Sequence, residues 1–214
     1  MADREPRSVV DGAFRVLRAL PETGTQGQLA RLAQLTGLPR PTVHRLLGQL
    51  RESGAVEWAN GRWGLAATLL GLAQRVEPLA GLRASASKVI ARLREQTGAA
   101  VSLVVASEGS FVALEMVPGR DPLPIDARSG AQMPASAAAA MVLAPAAMPA
   151  TRRRPFGAVV DDEHMFEGLT CYAVPVALPG RRQASLQVAS APERHADRLA
   201  APLHRAALAL ERSL

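Results

Sequence analysis

LARLAQLTGLPRPTVHRLLG, residues 29–48, is the stretch that decides the fold of the N-terminal part of the chain. Gly37 stands where a left-handed turn would join two short helices, and Ala33 where those helices would cross closely. In the second helix, apolar residues recur at i, i+3, i+4 and i+7 and predict one buried stripe: Val43, Leu46, Leu47 and Leu50. This pattern is typical of a helix-turn-helix, whose second helix enters the DNA major groove.

The opposite face of the second helix follows from the helical period. At about 100° per residue, Arg45 points away from the buried stripe. Pro39 and Pro41 fall in or just before the first helical turn, where the amides have no intrahelical partner. With one arginine from the following hairpin, the candidate DNA-binding residues are Arg40, Thr42, His44, Arg45, Gln49 and Arg62.

The hairpin follows at residues 56–65, where Asn60 and Gly61 suit a two-residue type I′ turn. The register pairs Ala59 with Arg62, Trp58 with Trp63, and Val56 with Leu65. By alternation, both tryptophans are expected to pack on the helices as core residues. Arg62 lies at the tip on the other face, where it is free to reach a phosphate.

The rest of the chain shows helical periodicity followed by strand periodicity. Helices are predicted at 8–20, 66–77 and about 79–97. Hairpins are predicted over 99–117 and 170–190, and a closing helix over 193–212. The uncharged stretch 129–151 contains three prolines and is mostly alanine, so a strand end, a short helix and a loop are favoured over a membrane span.

GLPRPTVHRLLGQLRESG, VEWANGRWGL and GLTCYAVPV together resemble the IclR family of bacterial transcriptional regulators, from Ser8 to the C-terminus. The resemblance implies an α+β protein with a winged helix-turn-helix DNA-binding domain in 1–65 and a linker helix in 66–81. Residues 82–214 would form a GAF-like α/β domain with an antiparallel sheet, for effector binding and oligomerisation. It further implies a homodimer or a dimer of dimers, and hence a palindromic operator in double-stranded DNA.

The resemblance also implies a site for a small organic effector, because the family strand pattern is matched by Gly168, Cys171, Ala173 and Pro175. The effector-binding residues carried over are Asp161, Leu169, Cys171, Gln187 and Ala189. This chain has Gln187 and Ala189 where family sites often have serines, and its segment 148–158 is shorter than is usual in the family. We therefore expect a mostly apolar, rather open pocket that suits a flat or aliphatic ligand.

Composition sets outer limits on the function. The net charge is +6, with 10 basic against 7 acidic residues in 1–81 and 15 against 12 in 82–214, so neither part is a markedly basic domain. A single cysteine, Cys171, excludes an intramolecular disulfide and a thiolate zinc cluster. Residues 1–7 do not resemble a secretory signal, and a cytoplasmic, non-membrane protein is predicted.

Other residues favour ordinary structural roles. Cys171 is expected to be a small buried apolar residue. The acidic run 161–164 is expected to start a helix rather than to bind a metal. The arginines 152–154 are expected to be solvated in a loop. No catalytic constellation and no cofactor motif is recognised. Two alternatives to a ligand-controlled regulator remain. One is a regulator with a ligand-free C-terminal domain that serves only oligomerisation, and the other is an enzyme acting on a small acid, which a turnover screen would reveal.

Overall fold

A computed structural model describes residues 8–24, 27–76, 79–107, 109–125, 128–147, 149–192 and 196–214. Its contacts divide the chain into two compact units, Met1–Glu77 and Pro78–Leu214. The predicted linker, 66–81, spans this division, and its residues 77–78 lie outside the described residues, as do residues 193–195 of the predicted closing helix. No described helix is both long enough and apolar enough to cross a membrane.

In its described residues, the first unit contains four α-helices, a short 3-10 turn at Leu20–Glu22 and a two-stranded hairpin. In chain order the α-helices and strands are α1 Val9–Ala19, α2 Gln28–Thr36, α3 Arg40–Glu52, β1 Val56–Ala59, β2 Arg62–Leu65 and α4 Thr68–Ala73. The side-chain oxygen of Ser8 caps α1 by accepting a hydrogen bond from the Val10 amide at 3.2 Å. Val16 of α1 and Leu32 of α2 are fully buried and join the apolar side chains of α3 in one core. The helix α4 is shorter than the helix predicted over 66–77.

The helix-turn-helix has the predicted geometry. Gly37 ends α2 with φ of 66° and ψ of 20°, the left-handed conformation that glycine adopts without strain. Pro39 immediately precedes α3, as expected for a residue that lacks an amide hydrogen. The predicted stripe is confirmed, because no member is more than 9% exposed: Val43, Leu46, Leu47 and Leu50.

The hairpin has the predicted register, with Trp58 opposite Trp63 and Ala59 opposite Arg62. Asn60 and Gly61 both have positive φ, as a type I′ turn requires. The prediction that both tryptophans are core residues is wrong for Trp58, which is 51% exposed. The helices cover only part of the hairpin face, so Trp63 packs against their core while Trp58 stacks edge-on against Trp63, with ring centroids 5.2 Å apart.

One buried polar side chain holds the hairpin to α2. The Gln28 carboxamide is 7% exposed and bonds both backbone groups of Trp63. Its Oε1 accepts from the Trp63 amide at 2.8 Å, and its Nε2 donates to the Trp63 carbonyl at 2.9 Å and to Thr23 Oγ1 at 2.9 Å. The amide thus satisfies backbone groups of β2 that have no partner on β1, and it fixes the position of the hairpin against the helices.

The second unit is built on one antiparallel sheet. Its elements are α5 Leu79–Thr97, β3 Ala100–Ser107, β4 Ser110–Val117, β5 Gln132–Met133, α6 Ala138–Leu143, β6 Val159–Asp162, β7 Thr170–Leu178, β8 Arg182–Ser190 and α7 Ala200–Glu211. The strands lie in the order β5-β4-β3-β8-β7-β6, and every pair is antiparallel. Both predicted hairpins are confirmed, and α5 has the predicted bounds. The described part of the closing helix begins later than predicted, after a short 3-10 turn at Ala196–Leu199.

Alternation along the strands sends side chains to two different layers. On one face, residues such as Leu186 and Val174 pack against α5 and α7 in the main core. On the other face, Cys171, Ala173 and Ala189 pack against the short helix α6. The two layers therefore divide the unit into a solid core and a face where only six helical residues cover the sheet.

The predicted helix start at 161–164 is wrong, because Asp161 and Asp162 belong to the edge strand β6. Val159 and Val160 continue directly into the two aspartates, and all four residues pair with β7. Strand pairing of the apolar residues therefore outweighed the preference of acidic residues for a helix N-terminus. As a result, Asp161 opposes Cys171 and is carried into the interior.

We expect Gln28→Ala to destabilise the first unit. The substitution removes three hydrogen bonds and leaves backbone groups of Trp63 without partners, which costs about 1–3 kcal/mol in the free energy of unfolding. Thermal unfolding followed by tryptophan fluorescence reports this unit alone, since the chain has two tryptophans and both lie in the hairpin. Gln34→Ala, at an exposed position of the same helix, is the matched control, and an equal loss in the two variants would contradict this role for Gln28.

Candidate nucleic-acid interface and ligand cavity

The outward face of α3 carries the polar side chains singled out from the sequence. Arg40, His44, Arg45 and Gln49 are exposed, and Thr42 is half-buried. Within the described part of the chain, the four exposed side chains form no hydrogen bond or ion pair. Their donors and acceptors are therefore available to an external partner.

Two of these residues share a groove with the hairpin. Arg40 and His44 line it together with Arg51 and Trp58. Arg45 and Gln49 do not line this groove. Arg62, at the hairpin tip opposite Ala59, is exposed. The groove thus combines cationic side chains with an accessible aromatic ring, a combination that suits a phosphate backbone.

Sequence reasoning missed Arg51 and Trp58 as members of this groove. Arg51 could have been found, because 11 residues beyond Arg40 it returns to within about 20° of that residue on a helical wheel. Trp58 could not have been found in this way, because alternation assigns it to the hairpin face that the helices cover. Trp58 is exposed only because the helices do not extend over the whole of that face.

The second unit contains a cavity of about 270 Å³ between the sheet and the segment leading to α6. Four of the five residues carried over as effector contacts line it: Asp161, Leu169, Cys171 and Gln187. Ala189 does not line it and packs with the α6 cluster instead. Most of the remaining lining is apolar and includes Met116, Ile125, Met133, Ala138 and Phe166.

Gln187 lines this cavity and caps α6. Its Oε1 accepts a hydrogen bond from the Ala139 amide at 2.9 Å, which satisfies one of the free amides in the first turn of the helix. The side chain is 3% exposed. A serine at this position would be too short to play the same part, so the larger residue positions the helix that roofs the cavity.

A buried ion pair lies beside the cavity, between Arg152 and Asp161. The predicted solvation of the arginine run is wrong for Arg152, which is 6% exposed. Its guanidinium donates from Nη2 to Asp161 Oδ1 and from Nη1 to the Ser136 carbonyl at 3.1 Å. The position of Arg152 in a loop did not predict its burial, because its partner Asp161 lies on the edge strand β6.

Arg154 is also held, by an ion pair of 3.2 Å with Asp197. The segment that is short in this chain is therefore tied to the second unit at two points. Arg152 connects it to the strand that carries Asp161, and Arg154 connects it to the turn preceding α7. None of the described residues of this segment lines the cavity, so the contacts fix the segment beside the cavity without forming its wall.

Burial keeps the Cys171 thiol protonated. Burial raises the pKa of the Cys171 thiol to about 12, and the nearby Arg152 cation lowers that pKa by a smaller amount. Burial also lowers the pKa of the Arg152 guanidinium from its ordinary value. Cys171 therefore serves the cavity as a small apolar side chain, as its place in an alternating strand predicts.

The residues at 161–164 do not assemble as a metal site. His164 Nδ1 lies 3.6 Å from Asp161 Oδ1, but His164 is largely exposed. Among the described residues, no group of three or more histidine, cysteine, aspartate or glutamate side chains is placed to hold a metal ion.

Comparison with known proteins connects the first unit to a family. Residues 9–59 match the model of the IclR helix-turn-helix domain. The chain is 28% identical over 144 residues to the probable transcriptional regulator SauR of Cupriavidus necator. That match takes in 66% of this chain and 57% of the length of SauR.

The fold of the chain is also found in solved structures. An IclR homologue from Microbacterium hydrocarbonoxydans, complexed with 4-hydroxybenzoate, superposes with a TM-score of 0.75 at 19% identity, over 97% of this chain and 99% of that one. Thermotoga maritima IclR superposes with a TM-score of 0.67 at 16% identity, over 96% and 98%. Pseudomonas aeruginosa HmgR also superposes with a TM-score of 0.67. Its identity to this chain is 20%, over 96% of this chain and 98% of HmgR. At these identities the similarity establishes the fold.

We expect the Cys171 thiol to react slowly with iodoacetamide. With a pKa of about 12, the thiolate fraction at pH 8 is smaller by about a thousand-fold than that of a free cysteine. The rate is expected to rise about ten-fold per pH unit while the fold persists, because only the thiolate attacks. Mass spectrometry measures the labelling, and the same chain in denaturant is the control. Rapid labelling of the folded chain at pH 8 would show that the thiol is open and ionised.

Proposed function

We propose that this chain is a sequence-specific DNA-binding transcriptional regulator of the IclR type and not an enzyme, since residues 9–59 match the IclR helix-turn-helix domain and the chain is similar to a probable transcriptional regulator. The observation that carries the proposal is the polar face of α3, where Arg40, His44, Arg45 and Gln49 are exposed and unpaired among the described residues. In a helix-turn-helix, that face of the second helix enters the major groove. The partner is double-stranded DNA in the cytoplasm.

The groove beside α3 supports contacts to the DNA backbone. Arg40 and Arg51 supply cations there, and Arg62 supplies another at the hairpin tip. Phosphate contacts of this kind position a protein on the duplex, whereas contacts to base edges select the sequence. We assign Arg45 and Gln49 to base edges, because they lie along the α3 face outside the groove, and we assign Arg62 to a phosphate.

A homodimer, or a dimer of dimers, is the proposed binding form. The helix α1 exposes three large apolar side chains, Val9, Val10 and Phe14, each more than half accessible. A contiguous apolar surface on a small unit is a common sign of a protein interface. A two-fold symmetric pair of α3 helices would read a palindromic operator.

A small organic effector is the proposed control signal, and the cavity bounded by Leu169, Cys171 and Gln187 is its site. The IclR homologue complexed with 4-hydroxybenzoate supports a small organic molecule as the ligand. A collapsed core would have favoured a domain used only for oligomerisation, whereas this face of the sheet retains about 270 Å³. The effector would act by binding unequally to the forms that do and do not bind the operator.

We expect Arg45→Ala to weaken binding to the operator by about 1–3 kcal/mol and to affect random DNA much less. An arginine on the outward face of α3 binds guanine edges, so the affinity lost when it is replaced depends on the base sequence of the duplex. Fluorescence anisotropy at one salt concentration measures both duplexes. Arg182→Ala, at an exposed position of the second unit, is the control. Equal losses on operator and random DNA would assign Arg45 to the phosphates.

For Arg62→Ala we expect the opposite pattern, with affinity reduced alike for all sequences. A lost phosphate contact also lowers the slope of log affinity against log salt by about one unit. Titrations at several salt concentrations give the slope for the wild type, Arg62→Ala and the control Arg182→Ala. A slope unchanged by Arg62→Ala would remove this residue from the interface.

A further inference from the structure

The cavity in the second unit has an unusual charge balance. Among its described lining residues, Asp161 is the one that carries a formal charge. That carboxylate is paired with Arg152, whose side chain is 7% exposed, while Asp161 itself is 1% exposed. The interior beside the cavity therefore contains one anion and one cation in contact, and its net charge is zero.

Two of the three nitrogens of the Arg152 guanidinium bind groups of the protein. The third, Nε, has no hydrogen-bond partner among the described residues, but it is fully buried and does not open onto the cavity. Nη2 binds Asp161, and Nη1 binds the Ser136 carbonyl and lies 3.4 Å from the Met141 sulfur. Arg152 is not among the lining residues. A carboxylate entering the cavity would thus find no free cation among the described residues, and it would stand next to the negative Asp161. Burying an unpaired charge in such a place is strongly unfavourable.

Gln187 provides the polar group that is left for a ligand. Its Oε1 is used by the Ala139 amide, and its Nε2 has no partner among the described residues. Because the side chain is buried and lines the cavity, the Nε2 donor faces the space that a ligand would occupy. A carbonyl, amide or hydroxyl oxygen would satisfy it without adding charge.

The volume limits the size of the ligand. An apolar cavity of about 150 Å³ holds one benzene molecule. The present cavity of about 270 Å³ therefore has room for one ring with a few substituents, or for an aliphatic chain of similar bulk.

We infer that this cavity selects a small uncharged ligand, a single ring or short chain bearing a carbonyl, amide or hydroxyl group, and discriminates against carboxylates. The Arg152–Asp161 pair causes the discrimination, since Arg152 neutralises Asp161 but is not available to a ligand anion. This inference rests on the proposed function of the cavity as an effector site.

The test compares two probes that differ mainly in charge, 4-hydroxybenzamide and 4-hydroxybenzoate, by calorimetric titration of the full chain. For the wild type we expect the amide to bind at least about ten-fold more tightly than the carboxylate. Asp161→Asn keeps the shape of the side chain but leaves Arg152 as an uncompensated cation. In this variant we expect carboxylate affinity to rise at least about ten-fold, while amide affinity changes by less than about three-fold.

Two controls make the outcomes distinct. Asp162→Asn, at the exposed neighbouring position of the same strand, is expected to leave both affinities unchanged. Operator binding, measured by gel shift, reports on the first unit, so retained binding of the amide probe by Asp161→Asn is the measurement that shows its second unit to be folded. Equal binding of the two probes by the wild type, or no gain for the carboxylate in a folded Asp161→Asn variant, would overturn the inference and leave the effector site standing. If neither probe binds any variant while the operator is bound, the cavity is not an effector site and the inference fails with it.

Discussion

The register between β7 and β8 is the constraint on which the second unit depends. Nine residue pairs, from Thr170 with Ser190 to Leu178 with Arg182, run without a shift. Because side chains alternate, this register sends Val174 and Leu186 into the main core and Cys171 toward the cavity. A slip of one residue would exchange the two layers, exposing the apolar core and closing the cavity.

Above this sheet, the cavity exists because its cover is thin. The helix α6 has six residues, four of which are the alanines and methionine that follow Ala137, so it leaves volume over the strands. Gln187 secures the start of that helix, and Arg152 ties the chain that follows it to the edge strand. Both contacts are buried polar interactions whose partners lie far apart in sequence, and together they fix the shape and charge of the space between them.

In the first unit, regular patterns predicted nearly all of the local structure. The stripe that begins at Val43, the left-handed Gly37 and the Asn60-Gly61 turn are each common by themselves, but together at this spacing they predict a winged helix-turn-helix. The candidate DNA contacts follow, since the face opposite a buried stripe has to be exposed. Trp58 escaped prediction because alternation tells which face a residue lies on, but not how far the neighbouring helices extend over that face. The role of Gln28 could not be predicted, because a single polar residue forms no periodic pattern in the sequence.

The sequence by itself determined the kind of fold, the strand register and the outward face of α3, because these depend on local periodicity and turn chemistry. It also indicated that Asp161, Leu169, Cys171 and Gln187 belong near one another, through resemblance to a family. Only the tertiary structure decided that Arg152 is buried against Asp161, and hence that the space beside them carries no net charge. The reason is physical: an ion pair between residues in different segments depends on how those segments pack, and no local pattern in either segment specifies its partner.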